Sequence, residues 1–326
     1  MWRALLIAGA LGSYASVACT GQAAPKPIAA PDLSSIRLQI KAPSGSSEYR
    51  IGEIIPVELI FSTTKPQPFR VRLAPSFRQL GLRLDDIDVE PRAGWEDPLV
   101  GFQSCRPVLE GGLSEARGLS SDPQQISLIL NEWVRFQNPG HYYLTVRSHR
   151  IIPIEAFPNM PLPSVESNRM LLDVIAPTVD WQAQTLNDAM RVLASTKNDE
   201  PEQREIRGRA MNTVRFLGTE GAALALSRLL ASEPYSYELL TGLVASPARQ
   251  TSAREMRRLL VDPNFPVVRE FLCALALVGN SPTPGDTRAS RQAALEARFR
   301  EELRAALPKK IGTARDISSA TVENQQ

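Results

Sequence analysis

The sequence predicts a chain of two parts, an antiparallel β-sandwich followed by an all-α helical array, and three observations predict it. Apolar residues recur with period two from Ile36 to about Val174, the mark of strands with one buried face. Near Pro177 the period lengthens to that of helices and keeps that length to Leu307. Between the period-two runs lie Pro, Gly and Ser clusters with no helical pattern, which argues against parallel strands joined by crossover helices. At 326 residues, with 43% hydrophobic and 22% charged residues, the chain has the length for two domains and a globular composition.

The first 23 residues are expected to be a signal peptide. Arg3 precedes an apolar run from Ala4 to Leu11 and then small residues, with cleavage possible after Ala18, Ala23 or Ala24. The run is too short to span a bilayer, and no later stretch is long and apolar enough to do so. "SVAC" (Ser16 to Cys19) resembles the bacterial lipobox, which implies acylation of Cys19 and an N-terminal lipid anchor; Ser16 stands where the lipobox has an aliphatic residue. Residues 24–31, rich in Pro and Ala, read as a tether without core-forming side chains.

Residues 32–177 carry the expected strands. Their inward residues are Ile36, Leu38 and Ile40; Ile55, Val57, Leu59 and Phe61; Phe69, Val71 and Leu73. Further along come Ile126, Leu128 and Leu130, then Tyr142, Leu144 and Val146, then Met170, Leu172 and Val174. Residues 178–307 follow as seven helices of about three to five turns, each closed by Gly, Pro or a capping residue, with Asp180 expected as the first N-cap. Residues 308–326 lose periodicity and aromatic residues, and are expected to be disordered.

Three stretches resemble known families. "YRIGEIIPVELIFS" (Tyr49 to Ser62) and "NPGHYYLTVRS" (Asn138 to Ser148) are similar to the Tyr-x-x-Gly-Glu turn and the Pro-Gly-x-Tyr strand of exported immunoglobulin-like and macroglobulin-like domains, which implies that Tyr142 packs inward at a corner of the sandwich. The segment from Asn212 to Gly279 resembles HEAT repeats: the pairs Leu229-Leu230 and Leu259-Leu260 lie 30 positions apart, and "DPNFPVV" has the Asp and Pro of a HEAT turn. No function follows from these folds alone.

Candidate chemistry is sparse. The only two histidines, His141 and His149, share one face of a strand but stand about 26 Å apart, which excludes one shared zinc ion. With Tyr142, Leu144 and Val146 directed inward, that strand presents His141, Tyr143, Thr145, Arg147 and His149 outward, and His141, Arg147 and His149 become a candidate partner surface. In "LRLDDIDVEP" the alternating Asp86, Asp88 and Glu90 are a candidate set of calcium ligands, and the inward parity flips at Asp85-Asp86, which predicts a bend there.

In the helices, Arg204, Arg207, Arg209, Arg215 and Arg228, then Arg254, Arg257 and Arg258, have the spacing of exposed faces. The last three are the second candidate partner surface, suited to an acidic protein. Cys105 and Cys273 are expected as buried free thiols, since a bridge needs their Cα atoms about 6 Å apart. "STTK" (Ser62 to Lys65) matches Ser-x-x-Lys but lacks the companion motifs of β-lactamase-like enzymes, and reads as a loop.

Lysine and arginine exceed aspartate and glutamate by two, which gives no footprint for nucleic acid. There is no nucleophile elbow, phosphate loop or dinucleotide fingerprint, and no cofactor is expected. The expected function is that of an exported, non-catalytic binding or scaffold protein of the bacterial cell envelope, periplasmic, secreted or lipid-anchored. It would contact another envelope protein through both halves. Two alternatives are an envelope hydrolase using Glu132, His141 or His149 as acid-base groups, and a carbohydrate- or calcium-binding module using the acidic strand or exposed Trp95 and Trp133.

Overall fold

The period-two runs do become strands with one buried face: in Ile36–Lys41 the burial alternates residue by residue. The structure is a computed structural model that describes residues 32–64, 69–73, 84–100, 102, 115–153, 163–196, 200–262, 264–279 and 288–306, with side chains in the last segment from 293 to 305. The signal, the tether, Cys19, Lys65, Cys105 and the C-terminal tail lie outside the described residues.

The described strands are β1 (Ile36–Lys41), β2 (Glu48–Arg50), β3 (Pro56–Thr63), β4 (Phe69–Arg72), β5 (Asp85–Glu90), β6 (Trp95–Glu96) and β7 (Ala116–Gly118). After them come β8 (Gln124–Ile129), β9 (Arg135–Phe136), β10 (Gly140–Ser148), β11 (Ile151–Pro153), β12 (Val165–Glu166) and β13 (Met170–Ile175). One sheet has the order β1-β3-β8 and a second β11-β4-β7. In the largest, β10 is central, with β5 along one edge and β12 and β13 along the other, and β2 outside β13. Every pairing between named strands is antiparallel except β2 with β13. Side chains from these sheets meet in one apolar cluster that includes Ile40, Val57, Phe61, Leu144 and Leu172.

Seven helices follow among the described residues: α1 (Val179–Ser195), α2 (Pro201–Leu217), α3 (Glu220–Ser232), α4 (Tyr237–Ala245), α5 (Arg249–Val261), α6 (Arg269–Val278) and α7 (Arg288–Ala306). Thr178 rather than Asp180 caps α1. Its Oγ1 accepts from the Trp181 amide at 3.2 Å, and Asp180 sits in the first turn, where its charge faces the positive end of the helix. α6 begins at Arg269, although the helical segment read from the sequence, "PNFPVVREFLCALALVG", starts at Pro263, because Asp262 holds a turn through the Asn264 and Phe265 amides. The helices share a second apolar cluster, which also takes in Leu99 and Phe102 from the loop after β6.

The described residues from Leu33 onward fall in one compact unit, so the β-rich and helical halves are in contact. The Tyr-x-x-Gly-Glu turn makes part of that contact. Gly52 has φ +90°, and a Cβ there would lie 2.8 Å from the Leu217 carbonyl oxygen at the end of α2. Only glycine allows both the turn and the approach. Nearby, the Arg50 guanidinium lies 5.6 Å from the Trp181 ring centre.

The exposed-face expectation fails for Arg215, which is 4% exposed. Its Nη2 is 2.8 Å from Glu132 Oε1 and donates to Thr241 Oγ1 at 3.0 Å, while Nη1 donates to Asn212 Oδ1 at 2.7 Å. Its position explains the burial: it stands four residues after buried Met211 and one after buried Val214, on the stripe that α2 turns inward. Gly242 on α4 leaves room for its alkyl stem, since a Cβ there would be 3.0 Å from Arg215 Cγ.

Free thiols were expected, but Cys273 is disulfide-bonded, and its partner lies outside the described residues. Trp133 is also not exposed: the 3-10 turn Leu130–Glu132 interrupts the extended chain and rotates the indole into the β core, where it is 8% exposed.

Candidate functional site

β10 alternates as expected, with Tyr142, Leu144, Val146 and Ser148 buried and His141, Tyr143 and Arg147 exposed. Tyr142 is held by its hydroxyl, which donates to the carbonyls of Asn138 (2.9 Å) and Gly94 (3.2 Å), and its ring packs on Phe136 at 4.6 Å between centres. Gly94, at φ +90°, is needed there because a Cβ would fall 2.4 Å from that hydroxyl oxygen. The Pro-Gly-x-Tyr stretch therefore fixes the start of β10 and, with it, the register of the outward residues.

On β5 the predicted bend has a physical origin. Leu84 and Asp85 are both buried, after which Asp86, Asp88 and Glu90 point outward. Asp85 is buried because Arg150 is. The Arg150 Nε and Nη2 donate to the Asp85 carboxylate at 2.8 to 3.0 Å, Nη1 donates to the Arg72 carbonyl, and Ser148 Oγ donates to Asp85 Oδ1 at 2.7 Å. This pair, 0% exposed on both sides, pins β5 to the end of β10.

Antiparallel pairing of β5 with β10 then sets rows across an open face. Asp86 stands opposite Arg147, which stands opposite Glu166 of β12; Asp88 faces Thr145; Glu90 faces Tyr143, which faces Leu171 of β13. The face lines a groove of about 600 Å³. Its carboxylates are Asp86, Asp88, Glu90 and Glu166, and its cations Arg92, Arg147 and Arg169.

These charges are matched within the face. Arg92 binds Asp88 at 2.7 Å, Arg169 binds Glu90 at 2.6 Å, and Arg147 approaches Glu166 at 3.5 Å. His149 Nε2 is 3.4 Å from Asp86 Oδ2. The Arg169 guanidinium also lies 4.0 Å from the Tyr143 ring centre. The three calcium candidates of β5 thus share a face, Asp88 and Glu90 each paired with an arginine and Asp86 beside His149. Among the described residues no group of three or more His, Cys, Asp or Glu is placed to hold a metal ion.

The two histidines flank the groove without meeting. His141 Nδ1 is paired with Asp173 Oδ1, and His149 with Asp86, so each ring has its own carboxylate at opposite ends of β10. Glu132 belongs to the Arg215 seam instead, and the structure does not bring the three proposed acid-base groups together. Trp95 is half-buried, its Nε1 donating to the Val89 and Pro91 carbonyls.

The helical arginines form a separate set. Arg254 and Arg258 both bind Glu255, at 3.2 and 3.0 Å, while Arg257 crosses to Glu302 of α7 at 3.2 Å. Hydrogen bonding from Arg258 is the main cause that holds the Glu255 carboxyl below its usual value, against the opposing effect of burial. Arg254, Arg257 and Arg258 thus carry their own counterions.

A third charged cluster lies at the contact between the halves. Burial would raise the Glu96 pKa, yet the hydrogen bond and charge of Arg135, with Gln137 and Arg249, outweigh it and leave the carboxyl below its usual 4.5. Arg249, at the start of α5, is lowered by burial and by Arg135, and Glu96 opposes the shift. Neither Arg215 nor Asp85 and Arg150 were singled out as buried from sequence. The signals were an arginine on an apolar helical stripe and an acidic residue on the inward parity of a strand.

No family model matches this chain, and no curated protein matches it. Among solved structures, the crystal structure of Salmonella alpha-2-macroglobulin reacted with methylamine matches 88% of this chain and 22% of that one, at 10% identity and a TM-score of 0.24. The chain therefore spans less than a quarter of that protein's length. At this TM-score the likeness carries no argument about fold or function.

Proposed function

We propose that this chain is an exported, non-catalytic binding protein of the bacterial cell envelope, and that it binds through the open face of the β5-β10-β12-β13 sheet. The observation that carries the reading is the groove itself: a preformed, solvent-open surface on a rigid sheet, its inner side locked by Tyr142 and by the Asp85-Arg150 pair. We read the β-rich half as an immunoglobulin-like sandwich and the helices as a HEAT-like array, both architectures that serve as scaffolds for such surfaces. The disulfide at Cys273 supports an oxidising compartment, in keeping with the signal-like N-terminus. The separation of the two histidines on opposite ends of β10 favours binding over acid-base chemistry.

Capture from the native envelope fraction tests this reading. The mature chain retains an envelope component, and Arg147→Glu, which reverses the central charge of the Asp86-Arg147-Glu166 row, loses it. Retention undiminished in that variant would move the site elsewhere. Cell fractionation with mass spectrometry of the mature N-terminus checks export and the state of Cys19: recovery of the protein with an intact Met1 in the cytoplasm contradicts the assignment.

A further inference from the structure

We propose that the ligand of the open sheet face is an uncharged oligosaccharide, an inference that rests on the binding role argued above and names its ligand class. Three properties of the groove carry it. The first is charge balance: carboxylates outnumber guanidinia by one, and each guanidinium is already next to a carboxylate, so neither a polyanion nor a polycation finds an unmatched field.

The second is the kind of polar group on offer. Carboxylates accept hydrogen bonds and guanidiniums donate them, both in a plane, and a pair of neighbouring sugar hydroxyls can do both at once. A diol inserted between Asp88 and Arg92, or between Arg147 and Glu166, replaces the direct ion pair with two bridged hydrogen bonds and leaves no charge unpaired. Exposed pairs of this kind contribute little by themselves, so their rearrangement opposes binding only weakly.

The third is an apolar pair at the margin of the polar field, where Tyr143 lines the groove and Leu171 adjoins it on β13. Tyr143 and Leu171 stand directly across from one another and are 40% and 39% exposed. A pyranose ring has a C–H face and a hydroxyl rim: taking the place of the Arg169 guanidinium over Tyr143, it makes ring contact with Tyr143 and Leu171 and hydroxyl contact with the charged rows beside them. A groove of about 600 Å³ has room for several sugar units.

Calorimetric titration of the full mature chain with neutral hexasaccharides of glucose, xylose and N-acetylglucosamine, at low and high salt, tests the proposal. At least one of them binds one to one, with an affinity that salt changes by no more than about twofold. Tyr143→Ala and Arg147→Ala each weaken it by about tenfold or more, whereas Arg191→Ala on the exposed surface of α1 leaves it unchanged. Thermal melts verify that the variants fold.

The inference is overturned if none of the neutral sugars binds, if only a charged polymer binds with salt-sensitive affinity, or if binding survives both face variants. Should no sugar bind while an envelope protein is still lost on Arg147→Glu, the glycan assignment fails and the binding face stands. Should the envelope component also be retained by that variant, both fail.

Discussion

Arg150 and Asp85 illustrate how much a single buried pair decides. Two charges taken fully out of water are tolerated because five hydrogen bonds converge on them, from Arg150 to Asp85 and Arg72 and from Ser148 to Asp85. Asp85→Ala leaves the guanidinium buried without its counterion, and a loss of about 3–5 kcal/mol in urea unfolding is expected. Asp85→Leu combined with Arg150→Met recovers most of it. A penalty in the double variant equal to that of the single one would show that packing, not charge, is at stake. Glu96 makes a second residue-scale prediction, with its sign set by the lowered pKa. A carboxylate depressed in the folded state stabilises fully above its unfolded value and loses that contribution as pH falls through the folded one. Glu96→Gln should therefore flatten the acid limb of a stability-pH curve below about 4.5, and an unchanged limb would remove the Arg135 and Arg249 interaction from the account.

Among the elements, periodicity located strands and helices well and their ends less well. Thr178 took the capping position expected of Asp180 because the Thr178 side chain reaches the Trp181 amide from just outside the helix. Thr178→Ala should cost about 1 kcal/mol in chemical unfolding, while Asp180→Asn costs less, since the charge only complements the helix end. The delayed start of α6 and the 3-10 turn before Trp133 likewise depend on local hydrogen bonds that period counting does not register. Gly52 links elements: Gly52→Ala places a methyl against the Leu217 carbonyl and forces a positive φ on a residue with a side chain. About 2 kcal/mol or more should be lost. Gly45→Ala, whose Cβ meets nothing within 4 Å at a similar φ, separates the steric part from the backbone part.

For the whole molecule, the seam between the halves holds a buried ion pair, Arg215 and Glu132 bonded across it. Glu132→Ala and Arg215→Ala should each destabilise by about 3–5 kcal/mol, and the double variant by far less than their sum; additive losses would mean the pair is not coupled. The disulfide supplies another test at this scale. Phe102 is buried against Tyr237 of α4, which packs on α6, and three residues of chain span at most about 11 Å, so peptide mapping without reduction should join the Cys273 peptide to that of Cys105. Joining to Cys19 would refute this. The sequence by itself determined the β-then-α order, the inward and outward residues of β10, and the shared face of Asp86, Asp88 and Glu90, because these follow from periods of two and 3.6 set by backbone geometry. Only the tertiary structure decided that Arg215, Asp85 and Arg150 are buried, that Cys273 is oxidised, and that the acidic strand lies beside Tyr143 and Arg147 to form a groove. Those outcomes depend on which distant partner arrives, and a local pattern does not record the partner.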